Sequence, residues 1–489
     1  MKMTPANMLV IMSDQHNPKM LGELGHEWMH TPNLDGLARR GTRFDCAYCN
    51  SPLCVPSRAS FATGRYVHEN GCWDNAIAYQ GNHPSWGHRL QAAGNPVFSI
   101  GKLHYRSEDD DTGFDEQIVP MHIMMGVGDL HGSIRPELPV RYQARQYVEE
   151  IGPGETKYQV YDLDITRRAC DFIRNRAPTM TEKPWVLFVS MICPHFPIVA
   201  PQRFYNMYPY DSLPDFKPAD EDLFKSHPWW QGFNDCFIYE RYIKDDEHRK
   251  RILASYLGSC SFMDENVGRV LKALDYSGLG DNTRVVYLSD HGDNIGARRI
   301  WGKSTMHDES AGIPLIMAGP GIPNGHVCRT PVSIVDMFPT ILDGAGAPFG
   351  PGDDSLPGRS LLDIAGEADD KTRVAFSEYH AAGAISGAYM LRTFRYKYIH
   401  YAGGYDPELY DLEREPEEMN NVAADPNYAG TLARLRNQLL ELIDPEKINE
   451  QALSDQARLI DRHGGREAII ARGAANNTPV PGEEPEIVR

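Results

Sequence analysis

The sequence lacks any apolar run long enough to cross a membrane. Its longest apolar stretches, such as WVLFVSMI at residues 185–192, have only the length of a buried strand, whereas a membrane-spanning helix needs about 20 apolar residues. The N-terminal stretch MKMTPANMLVIMSDQ also differs from a secretory signal peptide, because its apolar core is too short. We therefore predict a cytoplasmic protein without a membrane partner.

Positive net charge and paired cysteines are lacking as well. The 49 basic residues are outnumbered by 67 acidic ones, which gives a net charge of −18 and argues against nucleic acid as a partner. The nine cysteines have no disulfide-like spacing, and an odd number of them fits free thiols in a reducing compartment. An anionic substrate would need a local basic island inside this acidic protein.

Four short apolar runs end in chemically capable residues. They are NMLVIMSDQ (7–15), NPVFSIGKLHY (95–105), PWVLFVSMICPH (184–195) and TRVVYLSDHGDN (283–294). Each pattern predicts a buried parallel strand that opens into polar residues at its carboxyl end. Helix-like segments separate these runs, at residues 31–41, 158–177 and 248–278.

The alternation predicts an α/β fold with a large, doubly wound, mostly parallel sheet flanked by helices. Ligands of such sheets bind beyond the carboxyl ends of the strands, so the four polar clusters should meet in one crevice. After a Gly/Pro-rich connector at residues 344–358, aromatic and β-branched segments predict a small antiparallel sheet. We predict a catalytic α/β domain over residues 1–365. A C-terminal subdomain over residues 366–489 would hold the small sheet, helices and a loose tail from residue 479.

Three motifs suggest other chemistry but lack its context. HEWMH (26–30) matches the zinc-protease pattern, yet Thr-Pro follows where the helix would have to continue. GARRIWGKST (296–305) has one residue too many between its glycines for a phosphate-binding loop. CAYC (46–49) has no second cysteine pair to complete a zinc site, so buried or surface thiols explain it better.

Hard oxygen donors lie at the predicted strand ends. The carboxylates of Asp14 and Asp290 suit Ca²⁺, Mg²⁺ or Mn²⁺ rather than zinc. An amide oxygen could join them, and the candidates are Gln15 and Asn75. His291 is either a further ligand or an anion contact, and both interpretations stay open.

Five basic or hydrogen-bonding residues fall around the same crevice. They are Arg58, Lys102, His104, His195 and Lys303. This set suits an anion with several oxygens whose charge grows in the transition state. Cys54 opens a helix-like stretch, where the helix dipole would favour a thiolate nucleophile. Thiolates, however, prefer softer metals than the oxygen donors suggest.

The stretch CVPSRASFATGR (54–65) resembles the C-x-P-S-R signature of type I sulfatases of the alkaline phosphatase superfamily. In that family a formylglycine-generating enzyme oxidises the cysteine to formylglycine, and the hydrated aldehyde is the nucleophile. Further motifs resemble the family in the same order: MLVIMSDQ, GKLHY, CPHFP, SDHGDNIG with WGKSTMHDES, and ELYDLEREPEEMNNVA. The resemblance covers most of the chain and implies the sulfatase fold.

The resemblance also implies roles for individual residues. The implied ligands of one divalent cation, usually Ca²⁺ and in some members Mn²⁺, are Asp14, Gln15, Cys54, Asp290 and His291. By the same analogy Arg58 orients the formylglycine, and His104 hydrogen-bonds one of its hydroxyls. Lys102, His195 and Lys303 would hold the sulfate oxygens, with His195 or Lys303 protonating the leaving alcohol. Asn75 would bind substrate; together with Gln15 and His291 it resembles the choline sulfatase and phosphonate monoester hydrolase branches.

We therefore expect hydrolysis of an aryl or small alkyl sulfate monoester. The alternative is a phosphonate monoester hydrolase or phosphodiesterase that uses the same site. Ser57 favours the first function, whereas Gln15 and His291 favour the second. A third hypothesis is an inactive binding protein that keeps Cys54 unmodified.

The sequence does not identify the organic part of the substrate. The segments 118–150 and 203–245 would supply its pocket, with Trp229, Trp230 and Phe233 as candidate lining residues or ordinary packing. We also expect a homo-oligomer.

Overall fold

One large sheet with helices on both faces and a smaller C-terminal sheet make up the computed structural model, which describes residues 4–26, 28–135 and 137–488. The strands are β1 (Asn7–Asp14), β2 (Gly41–Phe44), β3 (Ala47–Tyr48), β4 (Val97–Lys102), β5 (Glu116–Met121), β6 (Ile151–Pro153), β7 (Val186–Pro194), β8 (Ile198–Ala200), β9 (Thr283–Ser289), β10 (Leu315–Ala318), β11 (His326–Cys328), β12 (Val332–Ser333), β13 (Ala375–Tyr379), β14 (Ala388–Arg392), β15 (Tyr396–Tyr401), β16 (Glu408–Asp411), β17 (Ala474–Ala475) and β18 (Ile487–Val488).

The α-helices vary from single turns to one of 31 residues. They are α1 (Pro32–Arg39), α2 (Cys54–Thr63), α3 (Val67–Asn70), α4 (Trp86–Ala92), α5 (Ala144–Glu149), α6 (Lys157–Asp171), α7 (Gln202–Tyr205), α8 (Glu221–Ser226), α9 (Pro228–Cys236), α10 (Asp246–Tyr276), α11 (Asp308–Ala311), α12 (Met337–Ala345), α13 (Leu361–Ala365), α14 (Ala429–Leu442), α15 (Pro445–Arg462) and α16 (Arg466–Arg472). Within the described ranges no helix combines the length and apolar character needed to span a bilayer.

The large sheet has the strand order β11–β2–β10–β9–β1–β7–β4–β5. Its central strands β9, β1, β7, β4 and β5 pair in parallel, as do β2 and β11. Only β10 is reversed among the described strands of this sheet, because it pairs antiparallel with both β2 and β9. The predicted doubly wound, mostly parallel sheet is confirmed.

Both faces of the large sheet are buried, which explains why its strands are apolar at consecutive positions. In β1, Met8, Val10 and Met12 belong to the core that contains the apolar residues of α2, α4 and α12. Leu9 and Ile11 point to the opposite core, built with α1, α6 and α10. The charged residues of β1, β4 and β9 therefore lie at or next to the strand ends.

The smaller sheet has the antiparallel order β13–β14–β15–β16, and α14 packs against β15. These strands fall within the segments predicted from aromatic and β-branched alternation. The division of the chain at residues 365 and 366 stays a prediction.

The end of the chain differs from the loose tail predicted from residue 479. β18 pairs antiparallel with β17, so the chain turns back on itself. The Tyr158 hydroxyl donates a hydrogen bond of 2.5 Å to the Thr478 carbonyl, and Lys157 lies 2.8 Å from Glu483. The tail is therefore paired with β17 and with α6, which its amino-acid composition did not predict. Arg489 lies outside the described residues.

The HEWMH motif provides no zinc-protease helix. Glu27 lies outside the described residues, while His26, Met29 and His30 have no helical structure. The helix starts only at Pro32, after the motif, as the Thr-Pro sequence indicates.

Candidate active site

Polar residues from four strand ends and one helix meet at one edge of the large sheet. Asp14 ends β1, Lys102 ends β4, and His195 directly follows β7. Asp290 follows β9, and α2 begins at Cys54, whose sulfur lies 3.6 Å from an Asp14 oxygen. The predicted convergence is therefore confirmed for residues that are up to 276 positions apart.

Arg58, on the first turns of α2, connects the ends of β1, β4 and β9 with Ser190 in the middle of β7. Its guanidinium donates to Asp290 Oδ2 at 2.8 Å and approaches Asp14 Oδ2 at 3.3 Å. It also donates to the Lys102 carbonyl at 2.8 Å and to the Ser190 hydroxyl at 2.9 Å. A planar group with several fixed donors suits this task better than a lysine. Arg58 thus sets the spacing of the strand ends.

Four potential metal ligands lie together at this edge. One ligand atom from each of Asp14, Cys54, Asp290 and His291 falls within 4.8 Å of the others, and all four residues are buried. His291 donates its Nδ1 proton to the Gly292 carbonyl at 2.9 Å, so Nε2 is the atom that faces the cluster. Fixing one ring nitrogen in this way is how proteins orient histidine ligands. The geometry therefore fits the predicted divalent cation.

Gln15 lies beside this cluster, where its backbone amide donates to Asp290 Oδ1 at 3.2 Å. Its side-chain nitrogen donates to Asp293 Oδ2 at 2.5 Å, which leaves Oε1 buried and without a hydrogen-bond partner. Tyr147 donates to both Asp293 oxygens and holds that carboxylate in place. Gln15 has a φ of 70°, a left-handed conformation that costs energy and is concentrated at functional sites. A buried oxygen without a partner fits a cation ligand.

Positive charge concentrates around the Cys54 sulfur. Lys303 Nζ lies 2.9 Å from it and His291 Nε2 lies 3.2 Å from it. Burial and the Asp14 carboxylate raise the pKa of the thiol, whereas Lys303, Lys102 and His291 lower it. The lowering effects are larger together, so the pKa falls below its usual value. Burial lowers the pKa of Lys303, yet the charges of Cys54 and Asp14 raise it overall. Lys303 is therefore a protonated donor.

The carboxylate of Asp14 is ionised despite complete burial. Burial alone would raise its pKa, but Lys102, His195, Lys303 and Arg58 hold the pKa well below its ordinary value. Lys102 makes the closest contact, at 2.6 Å from Asp14 Oδ2. A cationic environment of this kind accommodates both a metal-binding carboxylate and an oxyanion.

The two predicted active-site histidines are neutral. Burial and the neighbouring Lys102 put the pKa of His104 well below its ordinary value, and burial with Lys303 does the same for His195. His195 donates Nδ1–H to the Phe196 carbonyl at 2.6 Å, so its Nε2 carries a lone pair. His104 is in contact with Thr478, 2.9 Å away, through Nε2, while its Nδ1 is buried without a partner.

Asn75 lies in the pocket but has a structural contact as well. Its Oδ1 accepts a hydrogen bond of 3.2 Å from the Val55 amide, in the first turn of α2. Leu53, the residue before the helix, has no side chain that could cap it. Asn75 therefore caps the helix that carries Cys54.

A cavity of about 350 Å³ opens over the strand ends. Its walls come from residues 123–132 and 141–147, from Phe237 and Tyr239, and from residues 463–478, with mainly apolar and aromatic side chains. Among the described lining residues the only carboxylate is that of Asp129. Arg141 neutralises it through two hydrogen bonds of 3.1 and 2.6 Å.

Three of the residues proposed for the pocket lie elsewhere. Trp229, Trp230 and Phe233 are buried in the hydrophobic core and do not line the cavity. Trp229 donates to the Ser386 carbonyl, so α9 packs against the C-terminal sheet region. Their large apolar area is used for packing, which is the usual role of such side chains.

Several residues of the site escape sequence analysis. Asp293 is part of the SDHGDN motif, but its contact with Gln15 depends on the fold. Tyr158 and Thr478 lie in a helix and in the C-terminal segment without any recognisable motif. A hydroxyl 374 positions away from its histidine partner leaves no local signal.

Comparison with known proteins agrees with this geometry. The family model described as Sulfatase matches residues 6–347, and one described as N-sulphoglucosamine sulphohydrolase, C-terminal, matches residues 296–445. The chain is similar to the choline-sulfatase of Rhizobium meliloti (strain 1021), with 30% identity over 92% of this chain and 90% of the relative. It is also 30% identical to arylsulfatase K of Danio rerio, over 89% of this chain and 84% of that protein.

A solved structure shares the fold closely. The phosphonate monoester hydrolase SpPMH from Silicibacter pomeroyi superposes with a TM-score of 0.72 at 27% identity, over 89% of this chain and 94% of that one. The first family model spans every strand end described above and the full set from Asp14 to Lys303. With that match, and with a 30% identical relative covered over nearly all of its length, the chain belongs to the sulfatase family.

Proposed function

We propose that this protein hydrolyses a sulfate monoester to an alcohol and inorganic sulfate. The observation that carries the proposal is the position of Cys54 in CVPSR. It starts α2, and its sulfur lies between the Asp14 carboxylate and His291 on one side and the Lys303 ammonium on the other. In the overall reaction water supplies the hydroxyl, the ester S–O bond breaks, and the alcohol takes a proton. The apposition of a nucleophile, cation ligands and fixed positive charge supports this chemistry.

The proposed site needs two groups that the amino-acid sequence itself does not supply. Conversion of Cys54 to formylglycine would supply a hydrated aldehyde as nucleophile, and a divalent cation would lower the pKa of its hydroxyl. The cation, Ca²⁺ first and Mn²⁺ or Mg²⁺ second, would be held by Asp14, Gln15, Asp290 and His291 with residue 54. Their mainly oxygen donors suit a hard cation.

Lys303 is the better candidate for the acid that protonates the leaving alcohol. Its Nζ lies 2.9 Å from the side chain of residue 54, which would attack the ester, and a lysine ammonium donates protons and accepts none. His195, in contrast, has its single proton on Nδ1, bound to the Phe196 carbonyl, so Nε2 can accept but not donate. His195 and Lys102 would then bind the sulfate oxygens, the first only after taking up a proton or through water.

His104 is suited to accept a proton during sulfate release. Its lowered pKa keeps the ring neutral, and Nδ1 is buried with no partner in the described residues. A neutral ring with one free nitrogen is what a general base requires.

The pocket supports an uncharged organic group rather than an ammonium. Tyr147, Tyr158, Phe237 and Tyr239 offer aromatic surface, while Asp129 is already paired with Arg141. A quaternary ammonium would find ring faces but no free carboxylate among the described lining residues. We therefore rank aryl sulfates above choline sulfate.

Phosphonate monoester hydrolysis is the second candidate. The similarity to the Silicibacter pomeroyi enzyme at 27% identity supports it. Both reactions displace an oxygen from a tetrahedral centre whose charged oxygens need the same cations.

The test uses protein coexpressed with a formylglycine-generating enzyme and supplied with Ca²⁺ or Mn²⁺. Relative kcat/KM values for nitrophenyl sulfate, choline sulfate and a phenylphosphonate monoester identify the preferred centre and organic group. Peptide mass over residues 50–64 reports the conversion of Cys54. We expect preference for the aryl sulfate and a loss of roughly 10³-fold or more in kcat for Cys54→Ala. Full activity with an unconverted thiol, or preference for the phosphonate, contradicts the first proposal.

The proposal includes a reducing, cytoplasmic location and a maturation enzyme as partner. All nine cysteines are buried and free, which agrees with a compartment in which disulfides are not formed. The homo-oligomer remains a prediction that sedimentation analysis would check.

A further inference from the structure

We propose that Thr478, in the C-terminal segment, is a positioning residue that fixes the ring of His104 in the active site. The proposal rests on the proposed function, because it concerns the histidine assigned there as a base. Thr478 Oγ1 lies 2.9 Å from His104 Nε2, although 374 positions separate the two residues. Both residues line the cavity over the strand ends.

His104 needs such a contact because little else orients its ring. Its amide donates to the Met121 carbonyl at 2.8 Å, but that bond fixes the backbone and not the side chain. The residue has a φ of 60°, a left-handed conformation that turns the chain sharply after β4. Among the described residues, Thr478 is the hydrogen-bond partner of His104 Nε2, whereas His104 Nδ1 has no partner.

The backbone around Thr478 is itself fixed by hydrogen bonds. Tyr158, on α6, donates its hydroxyl proton to the Thr478 carbonyl at 2.5 Å. The segment before it pairs with β18, and the Asn476 amide donates to the Glu486 carbonyl at 3.0 Å. A hydroxyl on a backbone fixed at both ends can direct a ring in a way that a surface threonine cannot.

The contact fits one tautomer best, because the Thr478 hydroxyl can accept a proton from Nε2, whereas a proton on the buried Nδ1 would find no acceptor among the described residues. When Nε2 carries the proton, it donates to the Thr478 hydroxyl oxygen, and Nδ1 keeps the lone pair that a base needs. Loss of the hydroxyl removes this preference and leaves Nε2 without its partner in a buried position. The C-terminal segment would thereby take part in turnover without touching the substrate's sulfur.

The experiment compares Thr478→Val and Thr478→Ala, which remove the hydroxyl, with Thr478→Ser, which keeps it. Glu483→Gln is the matched control, because it removes an exposed ion pair with Lys157 in the same segment. Each variant is assayed for kcat and KM in the matured, metal-loaded form. Each is also treated with diethyl pyrocarbonate as the unconverted Cys54 protein, and the labelled fraction of His104 is read by peptide mass.

We expect a decrease of roughly ten- to a hundredfold in kcat for Val and Ala with little change in KM. His104 should become more reactive at Nε2 in both, while Ser and Glu483→Gln stay close to wild type. A kcat within twofold of wild type, or unchanged His104 labelling in Val and Ala, overturns the proposal. If wild type itself has no sulfatase activity, the proposed function fails, and labelling alone still decides whether Thr478 holds His104.

Discussion

At the scale of single residues, Arg58 shows how one side chain can organise a site. It contacts groups at the ends of β1, β4 and β9 and a hydroxyl within β7 while only 1% of its surface is exposed. Asp14 and Asp290 flank it as buried carboxylates. Because a buried charge without a partner is far more costly than a paired one, removal of Arg58 should affect stability as well as chemistry.

We predict that Arg58→Leu lowers the free energy of unfolding by about 3–5 kcal/mol, because two buried carboxylates lose their guanidinium. Urea unfolding of metal-free protein measures this loss. The matched control is Arg39→Gln, which breaks the exposed pair with Glu23 and should cost less than about 1 kcal/mol. Similar losses for the two variants would show that Arg58 does not connect the strand ends energetically.

Gln15 allows a test of the cation site. Gln15→Leu removes the buried oxygen that has no protein partner, and we predict that the Kd for Ca²⁺ rises roughly ten- to a hundredfold. Isothermal titration of metal-stripped protein gives the value. Gln91→Leu, at an exposed hydrogen bond to Asp115, is the control. Unchanged Ca²⁺ affinity in Gln15→Leu would exclude this oxygen as a ligand.

Residues of this site could be predicted where they share a local motif. Cys54 and Arg58 are four positions apart in CVPSR, and Asp290 and His291 directly follow an apolar run. Thr478 had no such signal, since a threonine near the end of the chain has many ordinary roles. Its partner is determined only when the chain returns to α6.

At the scale of elements, α1 depends on a distant residue for its first turn. Thr31, which precedes it, makes no side-chain capping bond. Asp264 of α10 accepts from the amides of Asn33 and Leu34 at 3.2 and 2.8 Å instead. One helix therefore caps the start of another.

We predict that Asp264→Ala lowers the free energy of unfolding by about 2 kcal/mol, because two amides of α1 lose their acceptor. Asp264→Asn keeps one oxygen and should lose about half as much. The control is Asp275→Ala, also on α10, which breaks an exposed ion pair with Arg40. It should change the free energy of unfolding by less than about 0.5 kcal/mol. The measurement is urea unfolding at neutral pH; equal effects of all three would rule out the cap.

Elements could be predicted where periodicity and burial agree. The four runs that end in polar residues became β1, β4, β7 and β9, because apolar side chains on both faces require a covered strand. The sequence did not predict whether β10 runs parallel or antiparallel to its neighbours, since an apolar run has the same pattern in both cases. Its antiparallel pairing depends on where the connecting chain enters the sheet.

At the scale of the whole molecule, buried polar contacts join the C-terminal sheet to the segment that carries α2 and α3. Glu378 of β13 has no exposed surface, and its amide donates to the Asn50 carbonyl at 2.9 Å. Its carboxylate contacts His68, on α3, at 2.8 Å and His380 at 3.0 Å. Burial alone would raise the pKa of Glu378, but the two histidines lower it to about 2 from an ordinary 4.5.

This depression predicts the sign of a pH effect. A carboxyl with a lowered folded-state pKa stabilises the protein above its unfolded pKa, and the benefit disappears as the pH falls from about 4.5 towards 2. Glu378→Gln should therefore be less stable than wild type by about 3 kcal/mol at pH 5.5, and this difference should shrink in acid. Urea unfolding of both proteins across this range checks it. A constant difference would refute the linkage.

Packing of α9 against the C-terminal sheet also explains the aromatic residues that were candidates for the pocket wall. The sequence segment 203–245 is aromatic enough for a substrate wall, but most of that area is needed between α9 and the C-terminal sheet. Trp230 donates to Glu408 of β16 at 2.8 Å, and Trp229 packs against Tyr401 with ring centres 4.9 Å apart. Composition alone does not distinguish an interior interface from a cavity wall, because both require large apolar side chains.

The burial of Cys54 has a consequence for any enzyme that would modify it. Only 1% of Cys54 is exposed, and residues 473–478 wall the cavity that its side chain lines. The enzyme that we propose to convert this thiol would therefore have to reach it on the nascent or unfolded chain, before α2 packs. In that case the proportion of competent molecules in a preparation is decided during biosynthesis, and a folded molecule that missed this step has no second opportunity.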